Sequence, residues 1–179
     1  MIRIGIIDDH SLLIEGMKRV FEEDSLIQVV MEANDGDEAI RQIQTTKPEV
    51  VLLDISMPGR DGQSVAAEIL RRFPDCKVAI LSMHQTPEYV LPLVDLGVSG
   101  FLLKNSTHQE LRSAILLMAK GNQYFTEEIQ EVIHKRNQAE KEDEFQITKR
   151  EREILQLMYE GLSTADMADR LFISQHTVF

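Results

Sequence analysis

The chain has 179 residues, 43% of them apolar, and a formal net charge of -11, which suits one ordinary domain plus a small second one. That acidic balance excludes a chain that is basic throughout and discourages adhesion to an anionic membrane surface, so any nucleic-acid contact must be local. The single cysteine, Cys76, cannot close an internal disulfide, the apolar patch at the amino terminus is too short for a signal peptide, and no apolar run reaches the length of a membrane span. A cytoplasmic protein with no membrane partner is expected.

Ile2 to Ile7 reads as a strand, and Asp8-Asp9-His10-Ser11 breaks it before a helix whose apolar face is Leu13, Met17, Val20 and Phe21. Leu26 to Ala33 predicts a second strand. Asp35-Gly36-Asp37-Glu38 then opens a helix with a capping-box signal, its face lined by Ala39, Ile40 and Ile43. Val50-Val51-Leu52-Leu53-Asp54 is a strand buried on both faces with a carboxylate at its tip. Val65 to Phe73 is predicted helical, Lys77 to Ser82 a strand, Glu88 to Leu96 a helix closed by Gly97, and Gly100 to Leu103 a fifth strand. A second capping box at Thr107 and Glu110 starts a fifth helix, with Leu111, Ile115 and Met118 on one face. Strands and helices alternating at short intervals predict an α/β fold: a doubly wound five-stranded parallel sheet with helices on both faces.

Beyond Gly121, residues 126 to 136 can be helical, but Lys135 to Glu144 is almost wholly polar and reads as a connector or a solvated helix end. Thr148-Lys149-Arg150-Glu151 is a third start signal, for a helix with Ile154, Leu155 and Met158 on one face and Gly161 at its end. Thr164 to Leu171 is another helix. Ser174 is placed to cap a third, with Ile173 and Val178 as its hydrophobic staple. The expected domains are 1-123, a partly helical linker at 124-146, and a small all-α domain at 147-179.

In such a fold Asp8, Asp9, Asp54, Ser82 and Lys104 come together at the carboxyl ends of the strands, where open α/β sheets bind their ligands. Three carboxylates held close repel one another by roughly 1 to 4 kcal/mol per pair at surface-like dielectric, so the cluster calls for a cation. Hard oxygen donors with room for water suit Mg²⁺. Flanked by a cation and Lys104, Asp54 has the surroundings of a nucleophile toward a phosphoryl group, with Ser82 as a hydrogen-bond donor. Singly, each residue has an ordinary alternative: Asp9 as a helix cap, Lys104 as a surface lysine, Ser82 as a strand-end hydroxyl. The five histidines, His10, His84, His108, His134 and His176, show no metal-ligand spacing.

Asp8-Asp9, the Leu-Leu-Asp54-Ile-Ser-Met-Pro-Gly-x-Asp-Gly stretch, Ser82 and Gly97-Val-Ser-Gly-Phe-Leu-Leu-Lys104 together resemble the receiver domain of bacterial two-component response regulators, flavodoxin-like in fold, over roughly residues 1 to 123. The resemblance implies phosphoryl transfer from a sensor histidine kinase to Asp54. It also implies Mg²⁺ held by Asp9, Asp54 and the backbone carbonyl of Ser56, with Asp8 helping through water. Ser82 and Phe101 match the switch positions, and dimerisation on phosphorylation is expected. Phe101 stands where tyrosine is common, and Asn105 where many receivers have proline.

The tail, through Thr148-Lys-Arg-Glu-Arg-Glu-Ile-Leu, Gly161-Leu-Ser-Thr-Ala-Asp-Met-Ala and Leu171-Phe-Ile-Ser-Gln-His-Thr-Val, resembles the helix-turn-helix of NarL/LuxR-type regulators. That implies a recognition helix beginning at Ser174, with Gln175, His176 and Thr177 as DNA contacts. Only residues up to Phe179 follow, about 7.5 Å of helix at 1.5 Å per residue, so an incomplete DNA-binding domain is expected. Two alternatives stand beside a transcriptional regulator: a Mg²⁺-dependent phosphatase with an aspartyl-phosphate intermediate, and a truncated regulator acting by protein contacts alone.

Overall fold

Short runs of β-branched residues and leucine form β1 (Ile2–Ile7), β2 (Ile27–Ala33), β3 (Val50–Asp54), β4 (Lys77–Ser82) and β5 (Gly100–Leu103). They are joined through α1 (Ser11–Glu22), α2 (Gly36–Thr46), α3 (Gly62–Arg72) and α4 (Pro87–Leu96), and α5 (His108–Ala119) follows the last of them. The structure, a computed structural model, describes residues 1–144, 149–174 and 177. All strands pair in parallel in the order β2-β1-β3-β4-β5-β6, the last being β6 (Tyr124–Phe125) beside β5. The sheet therefore has six strands where five were expected. Two residues are too few to show a period, and Gly100 lets them close in: a Cβ there would lie 2.6 Å from the Met118 sulfur and 3.0 Å from the Tyr124 carbonyl.

Alternate residues of each strand serve opposite layers, as a period of two requires. Ile7, Val51, Leu53, Val78, Ile80 and Phe101 join α2, α3 and α4 in one layer. Ile4, Ile6, Val50, Leu52, Ala79, Leu81 and Leu102 join α1 and α5 in the other. Burial from both sides explains why the central strands read as unbroken apolar runs. On α1 the buried stripe is Ile14, Met17 and Phe21, while Val20, expected on it, lies at its edge and is exposed.

The helix starts follow their signals. Thr107 and Glu110 form both halves of a capping box, with Thr107 Oγ1 accepting the Glu110 N–H at 3.3 Å and the Glu110 carboxylate accepting the Thr107 N–H at 2.6 Å. Asp35 caps α2 through the Glu38 N–H at 2.8 Å, but the Glu38 carboxylate takes the Asn34 N–H instead of completing the box.

Next comes α6 (Glu127–Glu144), so of the two readings of the polar stretch from Lys135, connector or helix end, it is the helix that forms. The chain divides into two compact units, Met1–Lys135 and Arg136–Phe179. The first takes in β6 and Ile129, which is fully buried in the layer of α2, α3 and α4.

The second unit contains α7 (Lys149–Tyr159) and α8 (Thr164–Leu171). Its core is Leu157, Met167 and Ala168, backed by Ile154, Leu162, Leu171 and Ile173. Leu155 and Met158, expected on the buried face of α7, are about half exposed; packed against one described neighbour, the helix buries the single stripe of Ile154 and Leu157. Arg150 donates to the Leu171 carbonyl and fastens the two helices. Thr148, Gln175, His176, Val178 and Phe179 lie outside the described residues.

Candidate functional site

The parallel sheet brings five loop-end residues to one edge. Asp8 leaves β1 with its N–H on the Ala33 carbonyl at 3.1 Å, and Lys104 leaves β5 with its N–H on the Ser82 carbonyl at 2.8 Å. Asp8, Asp54 and Ser82 are fully buried. Gly62, at the start of α3, lets the loop after Asp54 fold tightly onto it: a Cβ would meet the Ile55 Cα at 2.4 Å.

The Lys104 ammonium lies 2.7 Å from Asp8 Oδ2 and 2.8 Å from Asp54 Oδ2. Burial pulls its pKa down, but the hydrogen bonds and charges of Asp54 and Asp8 outweigh that and leave it raised. Asp54 Oδ1 accepts the Ser56 N–H at 3.0 Å, which fixes the carboxylate. Asp8 Oδ1 accepts the His10 N–H at 2.9 Å. Asp9 does not cap α1; His10 holds that position, without a side-chain capping bond.

Ser82 sits at the same edge, but its hydroxyl faces its own loop, where Oγ accepts the His84 N–H at 2.9 Å. The His84 ring is stacked on Tyr89 of α4, with centroids 4.6 Å apart. Phe101 is fully buried in the layer below. Thr177, the described member of the expected DNA contacts, is exposed, with its hydroxyl 2.8 Å from that of Ser174.

One residue here escaped the sequence. The His10 ring Nδ1 lies 2.9 Å from Asp8 Oδ1 and 3.0 Å from Asp9 Oδ1, and ligand atoms of Asp8, Asp9, His10 and Asp54 all fall within 4.8 Å of one another. Histidine spacing along the chain gave no hint of it, because its partners are its own neighbours and a strand end; adjacency to the Asp8-Asp9 pair was the available signal. Three carboxylates against one ammonium leave a formal charge of two negatives. Asp8 Oδ2 and Asp54 Oδ2 share the one Lys104 ammonium, and Asp9 Oδ1 faces the His10 ring at 3.0 Å. Three clustered carboxylates sharing a single ammonium fit a small, hard divalent cation.

Two family models match the chain: the response regulator receiver domain over residues 4–116 and the bacterial regulatory proteins of the luxR family over residues 146–179. The chain belongs to the NarL/LuxR-type response regulators. This regulator is 33% identical over 195 residues to the transcriptional regulatory protein DegU of Brevibacillus brevis, covering 99% of this chain and 83% of that protein. Among solved structures it is similar to RcsB from Salmonella enterica serovar Typhimurium bound to promoter rprA in the presence of phosphomimetic BeF3-, with 27% identity, a TM-score of 0.69, and 99% and 87% of the two chains covered. It is also similar to a structure of two RcsB dimers bound to two parallel DNAs, at 26% identity, TM-score 0.69, and 99% and 86% covered. The regulator is thus a transcriptional component of a two-component system, of a family that interacts with sensor kinases and binds DNA. Among the described residues, no helix is long and apolar enough to cross a membrane.

Proposed function

We propose that Asp54 accepts a phosphoryl group from the phosphohistidine of a sensor histidine kinase, and that this switches transcriptional control by the helix-turn-helix unit. The observation that carries this reading is the buried Asp54 carboxylate, fixed by the Ser56 amide and set against Lys104 beside two further aspartates. In the transfer an Asp54 oxygen forms the new bond to phosphorus as the histidine nitrogen leaves. The Lys104 ammonium then stands beside the oxygens that gain charge.

Asp9, Asp54 and the Ser56 carbonyl would hold Mg²⁺, with Asp8 alongside. When bound, the ion neutralises charge on the transferred phosphoryl oxygens. Phosphorylation adds about 1.5 to 2 negative charges and three acceptor oxygens. Ser82, whose oxygen accepts the His84 N–H, keeps its own O–H free to be donated to that group, and Phe101, buried beneath it, is the second switch residue. The phosphorylated form would pair as a homodimer in the cytoplasm and present the helix-turn-helix to DNA, a reading supported by the similar structure of RcsB dimers bound to DNA.

The test is labelling of the 179-residue chain with a radiolabelled small phosphodonor and Mg²⁺. Asp54→Asn is expected to abolish the label, and an undiminished label on that variant overturns the proposal.

A further inference from the structure

We propose that His10 supplies a nitrogen ligand to the acidic pocket, so that the pocket takes borderline divalent ions of the cobalt and zinc class in addition to Mg²⁺. This rests on the reading that the pocket holds a divalent cation.

His10 Nδ1 shares a hydrogen bond with Asp8 Oδ1 at 2.9 Å and lies 3.0 Å from Asp9 Oδ1, and an ion that displaced the ring proton between them would find these atoms already at ligand spacing. Neighbouring ligands on an octahedral ion with bonds of about 2.1 Å lie roughly 3.0 Å apart. The ring makes no capping bond to α1, although His10 holds the N-cap position with φ -90 and ψ 91. Its backbone is pinned to the pocket by the N–H to Asp8 Oδ1. The imidazole is 64% exposed, so Nε2 can carry the ring proton into solvent while Nδ1 turns its lone pair inward. The carboxylates of Asp8, Asp9 and Asp54, whose ligand atoms lie within 4.8 Å of one another and of the His10 ring nitrogen, supply the oxygen side of the site.

Carboxylates alone suit Mg²⁺, whereas an imidazole shifts preference toward zinc, cobalt and nickel. The lysine in the same pocket works the other way on every ion, since it competes for Asp8 Oδ2 and Asp54 Oδ2. A nitrogen donor is therefore felt most by ions that bind nitrogen well.

The experiment titrates the full chain with Co²⁺, read by its visible absorption bands, and with Mg²⁺ by calorimetry, in the wild type and in His10→Ala and His10→Asn. Asparagine retains an N–H to hold Asp8 but offers no imidazole lone pair. Both variants are expected to lose about tenfold or more in Co²⁺ affinity and to shift the Co²⁺ bands, with Mg²⁺ affinity changed by less than about twofold. Co²⁺ binding unmoved in the variants overturns the inference, as does a loss of Co²⁺ and Mg²⁺ in equal measure, which would make His10 only a support for Asp8. Absence of Mg²⁺ binding in the wild type would instead refute the underlying reading of the pocket.

Discussion

At Lys104 two buried carboxylates face one ammonium, and the outcome of removing it follows from desolvation. Coulomb attraction in such a pair roughly offsets the cost of burial, whereas deleting one partner strands the other. Lys104→Met is expected to destabilise the metal-free regulator by about 3 to 5 kcal/mol, with saturating Mg²⁺ restoring much of the loss. Urea unfolding with and without Mg²⁺ measures both; equal stability of variant and wild type without metal would contradict it. The Cys76 thiol, 4% exposed, is pushed up to about 12 by burial. An unfolded thiol ionises near about 8.5, so the folded state keeps a proton that the unfolded state loses. The contribution to stability is complete below that pH and fades as pH rises toward 12. Native protein at pH 9 is therefore expected to resist a thiol-specific disulfide reagent until denaturant is added, and Cys76→Ser is expected to flatten the alkaline fall in stability. Asp8, Asp9, Asp54 and Lys104 were legible in the sequence because charged residues directly after apolar runs have one place to go in a parallel sheet. His10 was not, since a ring's direction depends on the turn that the Asp8 carboxylate makes with the His10 amide.

At the level of elements, the strands that position the site announce themselves by composition, and their helices by caps and period. What composition conceals is where the first unit stops. β6 pairs with β5 through two residues, and the Thr126 N–H reaches the Phe101 carbonyl at 3.2 Å. Ile129 then buries itself in the same layer as Phe101. Against the expected boundary at 123, we propose that β6 and the start of α6 are structural parts of the receiver. They would also cover the edge of β5, a strand that would otherwise present unpaired amides. Ile129→Ala removes a fully buried side chain and is expected to cost about 2 to 5 kcal/mol, read as a lower urea midpoint for the receiver signal. A fragment ending at 123 is expected to be less stable still than one ending at 135. Equal midpoints for the two fragments would show that β6 and Ile129 merely rest on the receiver. The polar half of α6 hid its helicity because its sequence carries no apolar period.

Over the whole molecule the two units differ in how much apolar matter holds them. The receiver layers enclose dozens of side chains, whereas the described core of the second unit has three buried members, Leu157, Met167 and Ala168. Local stability follows buried apolar contact, so amide exchange should divide along the same line. The amides of β3, β4 and β5 are expected to exchange slowest, and those of α7 and α8 orders of magnitude faster, near the limit of local opening. A phosphoryl mimic sharpens the contrast. With Asp54 as the proposed acceptor, beryllofluoride with Mg²⁺ would bind the folded receiver and not the unfolded chain, and at about a hundredfold over its dissociation constant would add about 2.7 kcal/mol to the protection of receiver amides that exchange by global opening. Amides of α7 and α8 that open locally owe nothing to receiver unfolding and gain protection only if the mimic alters the second unit itself. Hydrogen exchange with and without beryllofluoride is therefore expected to slow β3 to β5 while leaving α8 unchanged in dilute protein without DNA. Protection of α8 rising in step with β3 would mean that the charge placed at Asp54 is felt in the helix-turn-helix before any DNA is met.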